Sequence, residues 1–228
     1  MNKRLLTPGV YFNNMNQQDK NKQLALLWKE AWSRQTFKLK IVIGTLLLLI
    51  ILSSFPKFFA IIELRKGMQM NDWILARMPA YDVSIPIFII IWSTAAFLIY
   101  KLIQSPILYL QFLMSFLILC ITRVISISIF SLEPPIGLIE LQDPLSSIFY
   151  GGTNVFIKKD LFYSGHTATQ FLIFLTLKGK IEKIITGITT ILISVLVLIQ
   201  HIHYTVDVVA AYFFTYFVYI LGKRISTF

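Results

Sequence analysis

The chain has 228 residues, 56% hydrophobic and 14% charged, with a mean hydropathy of +0.71, a balance that excludes an ordinary soluble domain and points to lipid as the solvent. The formal net charge of +10 does not mark a nucleic-acid binder, because the basic residues flank apolar runs instead of lining one exposed stripe. The single cysteine, Cys120, lies within such a run, cannot form an internal disulfide and reads as a packing residue.

In chain order, residues 1–37 form a polar, charged amino-terminal segment with no cleavable signal pattern. Within it, 23–37 mixes Leu24, Leu26, Leu27, Trp28, Trp32 and Phe37 with Lys29, Glu30 and Arg34, the pattern of an amphipathic helix lying at the membrane interface. Six apolar runs follow, at 41–55, 83–100, 106–122, 164–177, 184–200 and 204–221, to be compared with the roughly 20 residues that cross a bilayer. The expected fold is therefore an all-α integral membrane protein: a cytoplasmic segment 1–37, a six-helix membrane catalytic domain 38–224 and a tail 225–228. Short connections at 101–105 and 178–183 suit antiparallel neighbours. The stretch 123–163 carries Pro134, Pro135, Pro144, Gly151 and Gly152 and predicts a long irregular loop over the membrane surface.

With the amino terminus inside, 14 Lys and Arg residues fall on the cytoplasmic side and 7 on the other, which predicts both termini cytoplasmic. The Ser164-Gly165-His166-Thr167 run and the His203-Tyr204-Thr205-Val206-Asp207 run then enter the fourth and sixth spans from the same face. His203 and Asp207 are four residues apart, so on a helix they share a side, and a carboxylate on one ring nitrogen raises the basicity of the other. An Asp inside an apolar span costs roughly 2.5–3.5 kcal/mol on insertion scales and marks a partner or a function. His201 reads as an interfacial residue whose polar tip is satisfied.

Asp160-Leu161-Phe162-Tyr163-Ser164-Gly165-His166-Thr167 followed by His203-Tyr204-Thr205-Val206-Asp207-Val208 resembles the paired signatures of the sphingomyelin synthase branch of the type-2 phosphatidic acid phosphatase superfamily. Arg123, and the stretch from Pro79 to Asp82, are fainter echoes of its basic and proline-rich motifs. The chain departs from the pattern in having Lys158-Lys159 where the family has Cys-Gly before the Asp. It also lacks the superfamily's lysine-rich and arginine-proline motif and the arginine that precedes the last histidine.

The resemblance implies a metal-independent, two-step transfer of a phospho-head-group between membrane lipids, as in sphingolipid and phospholipid metabolism, through a phosphohistidine. His203 would be the nucleophile, Asp207 its support and His166 the general acid and base. Arg123, Lys158, Lys159 and Tyr204 are candidates to bind the phosphate, with Tyr204 also readable as an interfacial anchor. Asp160, Ser164, Gly165 and Thr167 would support the site, Ser164 as a helix cap. Water as acceptor would make the enzyme a lipid phosphate phosphatase, a transferase and a hydrolase sharing one site. No metal, cofactor or nucleic-acid partner is expected, and the partners are a phospholipid donor, an acceptor and the bilayer. The residue usage suggests a bacterial cytoplasmic membrane with the site on the periplasmic face. A non-catalytic transporter or scaffold is the contrasting class, and would place polar groups at mid-membrane depth in several spans.

Overall fold

The computed structural model describes residues 16–141 and 157–227, and among these every extended element is a helix, with only an isolated bridge between Met68 and Leu132. The helices are α1 (Gln17–Ser33), α2 (Gln35–Glu63), α3 (Ser84–Ile103), α4 (Pro106–Ile129), α5 (Gly165–Thr176), α6 (Lys180–Ile199) and α7 (Thr205–Ile225). Five of them, α2, α3, α4, α6 and α7, are long and apolar enough to cross a membrane. The fourth apolar run forms α5, which has 12 residues and, at 1.5 Å per residue, is about 18 Å long. That is short of the roughly 30 Å hydrocarbon core.

Local chemistry sets the helix ends. Asn16 caps α1 by accepting from Asp19 N, and Arg34, extended at φ −86° and ψ 117°, separates α1 from α2. Ser105 accepts from Leu108 N ahead of Pro106 at the first turn of α4, the favoured pairing of a hydroxyl cap with a proline that has no N–H to orphan. Past its end α5 is held by lysines, Lys178 Nζ donating to Leu175 O at 2.9 Å and Lys183 Nζ to Phe174 O. These cations satisfy carbonyls that a longer helix would have bonded itself.

Two boundaries differ from the sequence reading. The helix α4 continues to Ile129, so Arg123 is a helical, buried residue instead of the start of a surface loop. The apolar run after residue 122 includes Val124, Ile125, Ile127 and Ile129, and the polar residues between them are serines that bond back to the helix or its neighbours. Likewise α2 runs from Gln35 to Glu63 straight through Pro56. Pro144, Gly151 and Gly152 of the expected loop lie outside the described residues.

The amino-terminal helix α1 docks by Trp28, whose ring N–H donates to Ile103 O at 2.7 Å and whose ring meets Phe37 and Tyr109 edge-on. The central helix is α4, which meets α1, α2, α3, α5 and α7, and α7 packs on α4 and α5 around Leu119, Tyr163, Ala168, Leu172, Ala211 and Val218. Helices α3 and α6 meet over Ile87, Ile193 and Val197. Outward faces such as Leu46, Ile50, Ile188 and Ile191 remain exposed, as suits side chains whose solvent is acyl chain. The interior is not purely apolar: Gln170 donates to Thr94 at 2.7 Å, and Ser194 and Tyr212 hydroxyls lie 2.8 Å apart. Uncharged polar groups therefore occur inside several helices, and they join helix to helix as interhelical hydrogen bonds.

The charged groups sort to two ends. One end carries Lys40, donating to Ile225 O and Thr227 O, and the Lys101–Glu182 ion pair at 2.7 Å. The other carries both histidine motifs. Close approach of α4 and α7 depends on Gly222, where a Cβ would stand 2.6 Å from Ser115 Cα. Gly222→Val is expected to cost about 1–3 kcal/mol by overpacking, read as a lowered unfolding midpoint in detergent, while Leu46→Val on the lipid-facing side leaves it unchanged.

Candidate active site

Two short segments build the site. Ser164 caps α5 by accepting from Thr167 N at 3.3 Å, which places His166 in the first turn. At the start of α7, Asp207 reaches back to accept from Tyr204 N at 3.0 Å, the acidic third residue closing its own helix start. The same carboxylate oxygen lies 3.4 Å from His203 Nδ1. Its other oxygen accepts from Phe162 N at 3.3 Å, and Ser164 N donates to Asp207 O at 3.1 Å. The residues before α5 are thus tied to α7 by backbone and side chain together. The His166 and His203 rings stand 6.1 Å apart at 63°. Asp207 is fully buried and His203 nearly so, while His166 is half-buried.

With Nδ1 turned to the carboxylate, the other His203 nitrogen, Nε2, lies on the side of the ring away from Asp207. Aspartate behind a histidine fixes its tautomer and stabilises the cation that forms when Nε2 bonds or takes a proton. The two rings thus stand edge to face at one end of the bundle, where both can approach one group bound beside them.

The basic residues are engaged. Arg123 donates from Nη1 to Tyr163 O at 2.6 Å and from Nη2 to Asp160 Oδ1. Its guanidinium lies flat against Gly165, where a Cβ would come within 2.6 Å of Arg123 Cζ. Lys159 Nζ pairs with Glu133 at 3.0 Å and also donates to Arg65 O. Lys158 pairs with Glu140 at 2.5 Å on the surface. Glu63 accepts from both Lys158 N and Lys159 N at 2.7 Å, fixing the chain just ahead of Asp160.

Tyr204 is buried, and its hydroxyl donates to Glu133 O at 2.9 Å while Gln69 Nε2 and Met70 N donate to it at 3.2 and 3.3 Å. One donation and two acceptances exhaust a phenol, so its hydroxyl is committed to the fold. His201, at φ +57°, points its ring nitrogens at Ile136 O (2.9 Å) and Met78 O (3.1 Å), pinning two connecting segments beside the site.

Several supports had no sequence signal. Gln200 accepts from Val83 N at 2.6 Å and donates to Ser84 Oγ at 3.0 Å. Asp72 accepts from Thr205 N at 2.6 Å. Burial pushes the Asp72 carboxyl up, but hydrogen bonds from Thr205, Leu75 and Ile74 outweigh it and hold the group below its ordinary value. Glu133 is held down first by the Gly67 N–H and then by Lys159. Apart from Ile74 and Leu75, these partners lie far away in sequence, where no periodicity pairs them.

Residues 159–224 match the family model described as PAP2 superfamily C-terminal. The matched segment contains Asp160, His166, His203 and Asp207, and it supports the type-2 phosphatidic acid phosphatase superfamily. No curated protein and no solved structure matches the chain.

The contact between Arg123 and Gly165 gives a direct test. Gly165→Ala is expected to displace the guanidinium and shift the His166 turn, lowering turnover about tenfold or more at unchanged yield of folded protein, whereas Gly187→Ala on α6 leaves turnover intact.

Proposed function

We propose that the protein is a membrane lipid phosphotransferase that moves a phospho-head-group from a phospholipid to a lipid hydroxyl. The observation that carries this is the facing pair His166 and His203, with Asp207 behind the latter, inside the segment that matches the superfamily. In the first step His203 Nε2 attacks phosphorus, the P–N bond forms and the P–O bond to the departing lipid breaks. His166 gives that oxygen its proton. In the second step His166 takes the proton of the acceptor hydroxyl, whose oxygen attacks phosphorus and breaks the P–N bond, leaving both histidines as they began. No metal enters either step.

Arg123 is the best placed of the proposed phosphate-binding cations, since its guanidinium lies against Gly165 next to His166. Lys158 and Lys159 act through their ion pairs with Glu140 and Glu133, and Tyr204 as a brace. Asp160, Ser164, Gly165 and Thr167 shape the turn that presents His166. The bundle would sit with both termini in the cytoplasm and the histidines at the outer leaflet. In that arrangement α5 makes the fourth of six crossings with the extended residues 177–179, because Lys178 reaches Tyr219 near the far end of α7 at 2.5 Å. The helix α1 would lie along the inner interface, Trp28 docked and Leu26 and Trp32 exposed. Hydrolysis is the second reading, favoured by the half-buried state of His166, which leaves water a path to the general base.

Purified protein given a panel of phospholipids in EDTA, with and without diacylglycerol or ceramide, separates the two by product mass. A new phospholipid formed only with acceptor is the expected result; phosphate or phospho-head-group released without acceptor makes it a hydrolase. His203→Ala abolishes either product. His201→Ala lowers the yield of folded protein without removing turnover per folded molecule.

A further inference from the structure

We infer that Asp72 is a positioning residue for the His203 nucleophile, a role that rests on the function proposed above. Asp72 lies in the connector between α2 and α3, about 130 residues before the histidine motif. Its Oδ2 accepts from Thr205 N at 2.6 Å, and its Oδ1 accepts from Thr205 Oγ1 at 3.1 Å, Ile74 N at 3.1 Å and Leu75 N at 3.2 Å. Thr205 is the first residue of α7, two positions after His203 and two before Asp207. A carboxylate with four donors around it has no slack, and it holds the first turn of α7 at a fixed distance from a connector with its own anchors.

Those anchors hold the other side of the histidine. Tyr81 N donates to Ile199 O at 3.1 Å, Val83 N to Gln200 Oε1 at 2.6 Å, and His201 faces Met78 O. The turn from 199 to 205 is thus gripped before and after His203 by the same connector, with Asp82 accepting from Gln200 Nε2 at 3.3 Å on one side and Asp72 holding Thr205 on the other. Negative charge there also complements the positive end of the α7 dipole. The His203–Asp207 contact that must be kept is long, at 3.4 Å, and a long contact is sensitive to small shifts of the helix start. Misplacing a reacting group by 1 Å costs on the order of a hundredfold in rate.

Asp72 touches neither ring, so its loss should fall on the chemical step and not on lipid binding. The experiment compares wild type, Asp72→Asn, Thr205→Val, Thr205→Ser and His203→Ala in the lipid panel, measuring kcat and KM per folded molecule. The expected result is a fall in kcat of about tenfold to a hundredfold for Asp72→Asn with KM within about twofold. Thr205→Val, which loses the hydroxyl bond, falls less, and Thr205→Ser, which keeps it, stays above Thr205→Val. If Asp72→Asn does not fold, the order of the two Thr205 variants decides. Wild-type kcat in Asp72→Asn, or a rise in KM alone, with His203→Ala inactive, overturns the positioning role and leaves the proposed function standing. Full turnover in His203→Ala overturns both.

Discussion

Asp207 accepts hydrogen bonds from Phe162 N and Tyr204 N while its carboxylate faces His203 Nδ1, so one buried charge closes a helix, ties down the segment before α5 and orients a histidine. Burying a carboxylate is costly unless it is hydrogen-bonded, and these donors offset that cost. Because the backbone N–H groups come from both motifs, the pair of histidines cannot be assembled without satisfying the carboxylate, nor the carboxylate satisfied without bringing the motifs together. The rest of the histidine end is arranged around this constraint.

Around it the connectors are joined to one another at the histidine end of the bundle. Met68 N donates to Ser131 O, Glu133 N to Met68 O and Gly67 N to Glu133 Oε1, stitching the α2–α3 connector to the segment after α4. Tyr204, His201 and Gln200 attach both to the start of α7. Acidic partners meet the basic residues of this end, Asp160 for Arg123, Glu133 for Lys159 and Glu140 for Lys158. A phosphate arriving there would share Arg123 with Asp160 instead of meeting an unpaired cation. Under the proposed function, that tempers the affinity for the anion and leaves the histidines to distinguish the transition state from the bound lipid.

Periodicity and spacing made most of the bundle legible. Apolar runs located five helices, and the four-residue step from His203 to Asp207 did bring the two together, though not on one helix face: His203 lies in the turn before Thr205, and Asp207 reaches back to it from the first turn of α7. Ser164 as a cap could be read from its place ahead of an apolar run. The polar residues Thr122, Arg123, Ser126 and Ser128 hid the last turns of α4, because each satisfies itself within the helix or against the 160–163 segment, which a one-dimensional pattern does not show. Asp72, Glu63, Glu133 and Gln200 were illegible for a related reason. Most of their partners lie far away in sequence, and any polar side chain of that length has the same appearance there.

The central claim is that His203 becomes covalently bonded to phosphorus. The most direct measurement is to mix the protein with a phospholipid isotopically labelled in its head-group phosphate, quench at alkaline pH within the first turnover, and locate the label by peptide mass spectrometry. The account predicts a phosphoramidate on His203 that disappears on adding acceptor. Label on His166 or any other residue, or turnover at saturating donor with the protein unlabelled, would contradict it.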